Sequence, residues 1–421
     1  MGNLYIRGGI PLAGEVSIQG SKNAALPLLT ASLLIGGKTI LHNCPRIKDI
    51  EAMAELLETL GCGISFEKNT IIIDAAQICD THCPQKQVQA MRSSIMLLGP
   101  MLGRCKQIRM NRPGGCVIGQ RPIDIHEKAL RQMNVCFDSD EELITAHTDR
   151  LRGAEICLPF PSVGATENVV MAAVLADGIT HLKNAAKEPE VQMLCMFLNK
   201  AGARIKGIGE SEIEIRGVSR LHGVEMRVIP DRIVAGTYLL AGVATRGQII
   251  LRNAPCGQLK SVIEVLRRMG ACVIADDDIL YLDAEEATKP IEYIRTEVYP
   301  GFPTDLQSVL LAALATAQGE SVVEETIFED RFKIIPELRK MGADIFSDNR
   351  IVHVRGVSKL SGTAMQACEL RGGAALVVAA LAAKGESVIT GGHFIERGYE
   401  NICRDLQKLS AEILWKEKDR R

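Results

Sequence analysis

Aromatic residues are scarce in this chain. One Trp, 6 Tyr and 9 Phe make up 4% of 421 residues, while hydrophobic residues reach 47%. The core must therefore be aliphatic, and there is enough apolar material for a large one. Charge of one sign is also missing. The formal net charge is −2, which argues against nucleic acid or a membrane surface as the main partner. Long apolar runs are absent too. The longest, such as Leu306–Ala317, are too short and too punctuated to span a bilayer. The Met1-Gly2-Asn3-Leu4-Tyr5 start has neither a basic nor an apolar segment, so no signal peptide is expected. The 13 cysteines have no framework spacing. With no export signal, free thiols in a reducing cytoplasm are the expectation. Cys79 and Cys83 form a close pair, but no second pair stands at zinc-site spacing, so no metal is expected.

Complete glycine fingerprints are missing as well. Gly36-Gly37-Lys38-Thr39 ends like a phosphate loop, but Ser32 occupies the place of its first glycine. Gly207-Ile208-Gly209 lacks the third glycine of a dinucleotide site.

What the chain does have is one pattern repeated six times at roughly 70-residue spacing, longer than common solenoid periods. Each copy starts with a polar or charged triplet and enters a helix rich in Ala, Leu and Val. The starts lie near Ser21-Lys22-Asn23, Met91-Arg92-Ser93, Gly164-Ala165-Thr166, Asp231-Arg232-Ile233, Thr304-Asp305-Leu306 and Leu370-Arg371-Gly372. These helices are apolar on nearly all sides, which predicts burial. A strand-like run follows, then a second, amphipathic helix. The second helices end at Leu60-Gly61, Met133-Asn134, Ala201-Gly202, Met269-Gly270, Met341-Gly342 and Leu409-Ser410. Alternation such as Ile351-Val352-His353-Val354 predicts half-buried sheet. Six such units suggest two lobes of three: residues 22–229 form one, and 1–21 with 230–421 form the other. The first strand, near Leu4–Arg7, is placed to close the second lobe.

Seven cations recur at related positions. Lys22, Arg92, Arg232 and Arg371 stand at starts of apolar helices; Arg121, Arg331 and Arg397 stand before second helices. A cation at a helix start is locally unfavourable by roughly 0.3–1 kcal/mol, so the set points to a shared anionic ligand. Solvated arginines or salt bridges between repeats are the plainer alternative. The stretch from Arg112 to Pro122, RPGGCVIGQRP, interrupts the pattern with a pliable glycine-rich loop. Arg112 and Arg121 bracket Cys116, and neighbouring positive charge activates a thiol. Buried filler is the alternative for a cysteine. Asp305 can be a helix cap, a general base among cations, or both. Pro161-Ser162-Val163-Gly164-Ala165-Thr166 reads foremost as an ordinary helix cap, with phosphate binding by its N–H groups as the sharper reading.

Taken together, these residues resemble the UDP-N-acetylglucosamine 1-carboxyvinyltransferase family of enolpyruvyl transferases. The resemblance runs end to end, from Gly20-Ser21-Lys22-Asn23 to Arg397-Gly398-Tyr399-Glu400. It is most specific at Pro113-Gly114-Gly115-Cys116 with Arg121-Pro122, at Ser162-Val163-Gly164-Ala165-Thr166-Glu167-Asn168, and at Phe302-Pro303-Thr304-Asp305. It implies an α/β fold: a two-domain inside-out α/β barrel of six similar helix-cored units. It also implies transfer of the enolpyruvyl group of phosphoenolpyruvate to the 3-hydroxyl of UDP-N-acetylglucosamine, in cell-wall synthesis and in the cytoplasm. No cofactor, nucleic acid or membrane insertion is implied, and protein partners are left unassigned.

The resemblance assigns Cys116, Asp305, Lys22 and Arg397 to catalysis. It places phosphoenolpyruvate on Lys22, Asn23, Arg121, Arg331, Arg371 and Arg397. It places the UDP-sugar on Asn23, Arg92, Arg121, Pro122, Ile123, Asp124, Ile125, Ser162, Val163, Gly164, Asp305 and Ile327, the last through its backbone. Cys116 would form a phosphoenolpyruvate adduct and take the alkylation by fosfomycin. Arg232 is left unassigned. The chain departs from the family at Glu369, where Asp is usual, and at Gly372, where Ala is usual. Asp330 and Glu396 also replace commoner residues. The related shikimate-pathway transferase is disfavoured by the Cys116 loop and the Ser162–Thr166 turn. A binding paralogue with poor turnover is disfavoured by the retained Lys22, Cys116, Asp305 and Arg397.

Overall fold

A helix with no polar face has to be surrounded, and that requirement organises each half of this chain. The computed structural model describes residues 2–78, 80–114, 123–140 and 142–417. Clustering of contacts divides them between two units. One runs from Gly20 to Ile229; the other joins the N-terminal stretch through Gln19 to the chain from Pro230 onward.

In the second of these, three helices form the centre: Arg232–Ala244, Gln307–Leu314 and Leu370–Ala382. All thirteen residues of Arg232–Ala244 are buried. The three helices pack on one another inside one continuous aliphatic cluster. In the Gly20–Ile229 unit the apolar helices are Lys22–Ala31, Leu98–Cys105 (entered through the 3-10 turn Arg92–Leu97) and Val163–Ala173. They share a second continuous cluster. At about 25 cal/mol per Å² of apolar area removed from water, such clusters are the main stabilising term of each unit.

Around these helices stand six four-stranded sheets, three to a unit. Each sheet has one parallel pair at an edge and two antiparallel pairs after it. In one of them Val224–Arg227 runs parallel to Lys38–His42, which pairs antiparallel with Thr70–Asp74, and Gly63–Glu67 completes the sheet. Inward positions alternate with outward ones, as in Ile351–Arg355, where Val352 and Val354 are buried. The N-terminal strand Gly2–Gly8 lies in the middle of its sheet, antiparallel to both Gly385–Thr390 and Glu412–Glu417.

The six amphipathic helices end alike. Gly61, Asn134, Gly202, Gly270, Gly342 and Ser410 all have positive φ, from 65° to 104°. The N–H of the next residue then reaches back to a buried leucine carbonyl. Cys62 bonds Leu57, Val135 Leu130, Ala203 Leu198, Ala271 Leu266, Ala343 Leu338 and Ala411 Leu406. This 6→1 bond is the Schellman cap. It explains why the sequence pattern places a small residue at each of those six points. Among the described residues no helix is long and apolar enough to cross a membrane. The Gly36-Gly37 segment leads into the strand Lys38–His42 and not into a helix, so it is no phosphate loop.

Candidate active site

Several of the expected site residues stand at helix starts, where caps offset the cost of placing a cation. Ser21 accepts from the Ala24 N–H at 3.3 Å, and Lys22 opens the helix. Asp231 accepts from the Ile233 and Val234 N–H groups at 2.8 and 3.1 Å, and Arg232 opens the next. Glu369 accepts from the N–H groups of Arg371 and Gly372. Each carboxylate offsets the unfavourable meeting of a guanidinium with the positive helix end.

In the unit that begins at Pro230, three of the expected site residues meet directly. Arg331 Nη2 donates to Asp305 Oδ1 at 2.7 Å, and Arg371 Nη2 donates to Asp305 Oδ2 at 2.6 Å. The two arginine side chains are 3% and 7% exposed, and Asp305 is 23% exposed. Burial works against the charge on Arg371. Asp305, Tyr399 and Asp231 outweigh it and hold the guanidinium above its ordinary pKa. Tyr399 is itself buried, and its hydroxyl shares a hydrogen bond with Thr237 Oγ1 at 2.8 Å. Burial pushes the Tyr399 phenol up, with Arg371 pulling the other way. Arg331 stacks over the Phe328 ring at 4.9 Å. Its Nε is buried and has no hydrogen-bond partner among the described residues. An unsatisfied buried donor is costly, and an anionic ligand would remove that cost.

Asp305 does not serve as the cap of its helix. The position before the 3-10 turn Thr304–Leu306 is Pro303, and neither that turn nor the helix after it has a side-chain cap. Thr304 Oγ1 instead donates to Glu325 Oε2 at 2.9 Å. Ile327 gives its N–H to Glu325 Oε1 at 2.8 Å, so any backbone contact from Ile327 to a ligand must run through its carbonyl. Arg397 ends the 3-10 segment Gly392–Arg397. Buried Gln19 fixes the turn that follows, accepting from Glu400 N at 2.8 Å and donating to Gly398 O at 3.1 Å. Arg232 is buried and lies over the Tyr299 ring at 5.7 Å.

The departures at 369 and 372 explain one another. A Cβ on Gly372 would lie 2.6 Å from Glu369 Oε1. The longer carboxylate therefore fits its cap because residue 372 has no side chain.

In the Gly20–Ile229 unit, Lys22 Nζ pairs with Asp49 Oδ2 at 2.9 Å, with side chains 13% and 6% exposed. Asn23 follows in the same first turn. Ser162 caps the helix Val163–Ala173 by accepting from Ala165 N at 3.4 Å, and Val163 and Gly164 form its first turn. The ordinary capping reading of that stretch is thus realised. Buried Ile123 precedes the helix Asp124–Gln132, whose first turn holds Asp124 and Ile125. Asp124 pairs with Lys128 at 2.9 Å, and that hydrogen bond lowers its pKa. Among these residues stands His126, which the motif reading passed over by one position. Its Nδ1 lies 2.9 Å from Asn168 Nδ2. The amide nitrogen is a donor, so Nδ1 accepts and Nε2 carries the hydrogen. Burial first and Arg92 second push its pKa down to about 4. The ring borders Gly164, where a Cβ would lie 3.1 Å from His126 Cε1. It is buried on a helix face, and no spacing in the sequence marked it.

Cys116, Arg121 and Pro122 lie outside the described residues, as does Cys79. Cys83 is buried, and burial pushes its thiol up to about 12. No group of metal-ligating side chains large enough for an ion occurs among the described residues.

Comparison with known proteins places this geometry. A family model for EPSP synthase (3-phosphoshikimate 1-carboxyvinyltransferase) matches residues 6–406. The chain is 45% identical over 414 residues to UDP-N-acetylglucosamine 1-carboxyvinyltransferase 2 of Caldanaerobacter subterraneus subsp. tengcongensis, covering 98% of this chain and 99% of the relative. It is 44% identical over 418 residues to UDP-N-acetylglucosamine 1-carboxyvinyltransferase of Granulibacter bethesdensis, again covering 98% and 99%. Among solved structures it is similar to the enolpyruvyl transferase NikO from Streptomyces tendae, with a TM-score of 0.88, 24% identity and coverage of 98% and 99%. It is also similar to EPSP synthase from Acinetobacter baumannii, with a TM-score of 0.77, 17% identity and coverage of 99% and 100%. At those identities the structural likeness speaks for the two-domain inside-out α/β fold. The sequence relatives speak for the family: the chain belongs to the EPSP synthase family and, within it, to the UDP-N-acetylglucosamine 1-carboxyvinyltransferases.

Proposed function

We propose that this protein transfers the enolpyruvyl group of phosphoenolpyruvate to the 3-hydroxyl of UDP-N-acetylglucosamine and releases phosphate, the first committed step of peptidoglycan synthesis. We place it in the cytoplasm, in keeping with a chain in which no disulfide joins the eleven described cysteines. The observation that carries the reading is the clamp of two buried guanidiniums on Asp305, with no hydrogen-bond partner for Arg331 Nε among the described residues. Such a clamp suits a ligand with two anionic groups.

In this reading Lys22, Arg121 and Arg397 hold the phosphate and carboxylate of phosphoenolpyruvate, with Asn23 beside them and Arg331 and Arg371 on the carboxylate side. Arg92, Arg121–Ile125, Ser162–Gly164 and Ile327 hold the UDP-sugar. Both Asp305 oxygens accept from guanidiniums. A substrate anion that takes over one of those donors releases an oxygen to accept a proton. Asp305 then removes the proton of the sugar hydroxyl as its oxygen attacks C2 of phosphoenolpyruvate, and Cys116 delivers a proton to C3. The product is a tetrahedral ketal. Loss of a C3 proton and cleavage of the C2–O bond to phosphate give the enol ether and inorganic phosphate. The preformed cations stabilise the charge that moves along this path.

Phosphate release from phosphoenolpyruvate tests the reading. It is expected with UDP-N-acetylglucosamine and not with shikimate 3-phosphate; the reverse result, or release with neither, removes it. Cys116→Ser is expected to abolish inactivation by fosfomycin, followed as loss of turnover with time. Inactivation at the wild-type rate would mean that another thiol reacts.

A further inference from the structure

Glu325 is fully buried, yet both its oxygens are used. Oε1 accepts from Thr296 Oγ1 at 2.9 Å, from Ile327 N at 2.8 Å and from Phe328 N at 3.1 Å; Oε2 accepts from Thr304 Oγ1 at 2.9 Å. Thr296 is drawn in further. Its Oγ1 accepts from Thr326 N at 3.0 Å, and its carbonyl accepts from Thr326 Oγ1 at 2.6 Å.

These bonds join two stretches of chain that are separate in sequence. One is the turn Thr304–Leu306, which carries Asp305. The other is the irregular segment after the strand Glu320–Glu324, which carries Ile327 and ends on Arg331. The two stretches meet a second time where Arg331 binds Asp305. Asp305, Thr304, Glu325, the segment to Arg331 and back to Asp305 therefore form a closed ring of covalent and hydrogen bonds. A buried carboxylate is an expensive way to stabilise a loop, since apolar packing usually does as well or better. What four donors on one carboxylate supply is a fixed geometry.

We infer that Glu325 is a positioning residue for the transfer reaction: through Thr304 it sets where Asp305 stands, and through the Ile327–Phe328 turn it sets the approach of Arg331 and the Ile327 carbonyl. This rests on the function proposed above. Glu325 itself touches no reacting atom in this assignment. Its effect is transmitted by a misplacement of the base, and small misplacements are costly in rate.

The test compares Thr304→Val, Glu325→Gln and Glu325→Ala with the wild type. It uses steady-state phosphate release, equilibrium binding of UDP-N-acetylglucosamine and thermal melting of the full chain. Thr304→Val removes only the link to the turn bearing Asp305. It is expected to lower kcat about tenfold to a hundredfold, with UDP-N-acetylglucosamine binding within about twofold and melting nearly unchanged. Glu325→Gln keeps an acceptor for Thr296, Ile327 and Phe328, while its amide donates to a Thr304 hydroxyl turned to accept. It should recover most of kcat. Glu325→Ala should lose as much kcat as Thr304→Val and bind the sugar nucleotide more weakly as well. Should the alanine variant fail to fold, Thr304→Val against Glu325→Gln still decides. Wild-type kcat in folded Thr304→Val overturns the assignment, as does a loss fully explained by the unfolded fraction. A wild-type protein inert toward UDP-N-acetylglucosamine overturns the proposed function, and this assignment with it; normal turnover with unaffected variants overturns this assignment alone.

Discussion

Asp305 pairs with two buried guanidiniums, so removing its carboxylate has two separable effects. Asp305→Ala should lower kcat by about 10²–10⁴-fold, the usual worth of a positioned base, while UDP-sugar binding changes far less. It should also take from Arg331 and Arg371 the carboxylate that they share, leaving Arg371 only the more distant support of Asp231 and Tyr399. The expected loss of stability is roughly 2–3 kcal/mol, below the range for a fully buried pair because Asp305 is partly open to water. Inorganic phosphate should restore part of the melting temperature in the variant and less in the wild type. Equal phosphate effects would show that no anion enters the clamp. His126 gives a pH prediction. Its pKa falls from 6.5 to about 4 on folding, so between those values the unfolded chain binds the extra proton. Stability is then fully present above 6.5 and is lost as pH falls toward 4. From pH 7 to pH 5 the His126 share of that loss is about 2 kcal/mol. Urea unfolding of His126→Gln at the two pH values should show a correspondingly smaller drop than the wild type. Asp305, Arg331 and Arg371 fold into one ion-pair cluster. Asp305 and Arg371 stood out in the sequence because charged side chains are rare at the edge of apolar helices, and Arg331 because it shares its place before a second helix with Arg121 and Arg397. Glu325 and His126 did not, because each works through partners brought together only by folding: Thr304 and Thr296 for one, Asn168 and Arg92 for the other.

At the level of elements, the start of helix Leu370–Ala382 joins a local propensity to a contact. Gly costs a helix roughly 1 kcal/mol relative to Ala, and by propensity alone Gly372→Ala would stabilise. The contact argues the other way, since the new Cβ would meet the Glu369 carboxylate that caps the helix. Gly372→Ala alone is expected to destabilise by about 1 kcal/mol through loss of that cap. Glu369→Asp with Gly372→Ala should be at least as stable as the starting protein. A double-mutant cycle in urea measures the coupling, and additive effects would show that the two positions are independent. The same two residues read from sequence as separate departures from a family pattern; only the backbone of the first turn shows that one makes room for the other. The elements themselves were far more legible. The all-round apolar helices announced burial because no polar face was left to meet water. The ends of the amphipathic helices were visible because a left-handed cap favours Gly, Asn or a small polar residue. Asp305 was harder, because a cap and a buried ion pair make the same demand on the sequence.

For the whole molecule, the sixfold repeat conveyed the architecture, since the same apolar helix and the same capped helix recur at one spacing. The strand Gly2–Gly8 tests how far its unit depends on its two distant ends. It contributes the buried side chains of Leu4 and Ile6 and pairs on both sides. Deleting residues 2–8 should strip amide protection from Gly385–Thr390 in hydrogen exchange and leave that of Lys38–His42 intact. Retained protection at Gly385–Thr390 would show that the strand is dispensable.

That central strand also sets an order of events on the ribosome. The stretch from Gly20 to Ile229 is continuous and can close its core while translation is still under way. The strand Gly2–Gly8 emerges before that stretch, yet both of its neighbours are made after it. At about 5–20 residues per second it waits on the order of 20–80 seconds, tethered beside a finished neighbour, before a sheet exists to receive it. This strand thus waits longer for its partners than any strand between it and them, and a chaperone that shields exposed apolar strands has a long window of work there.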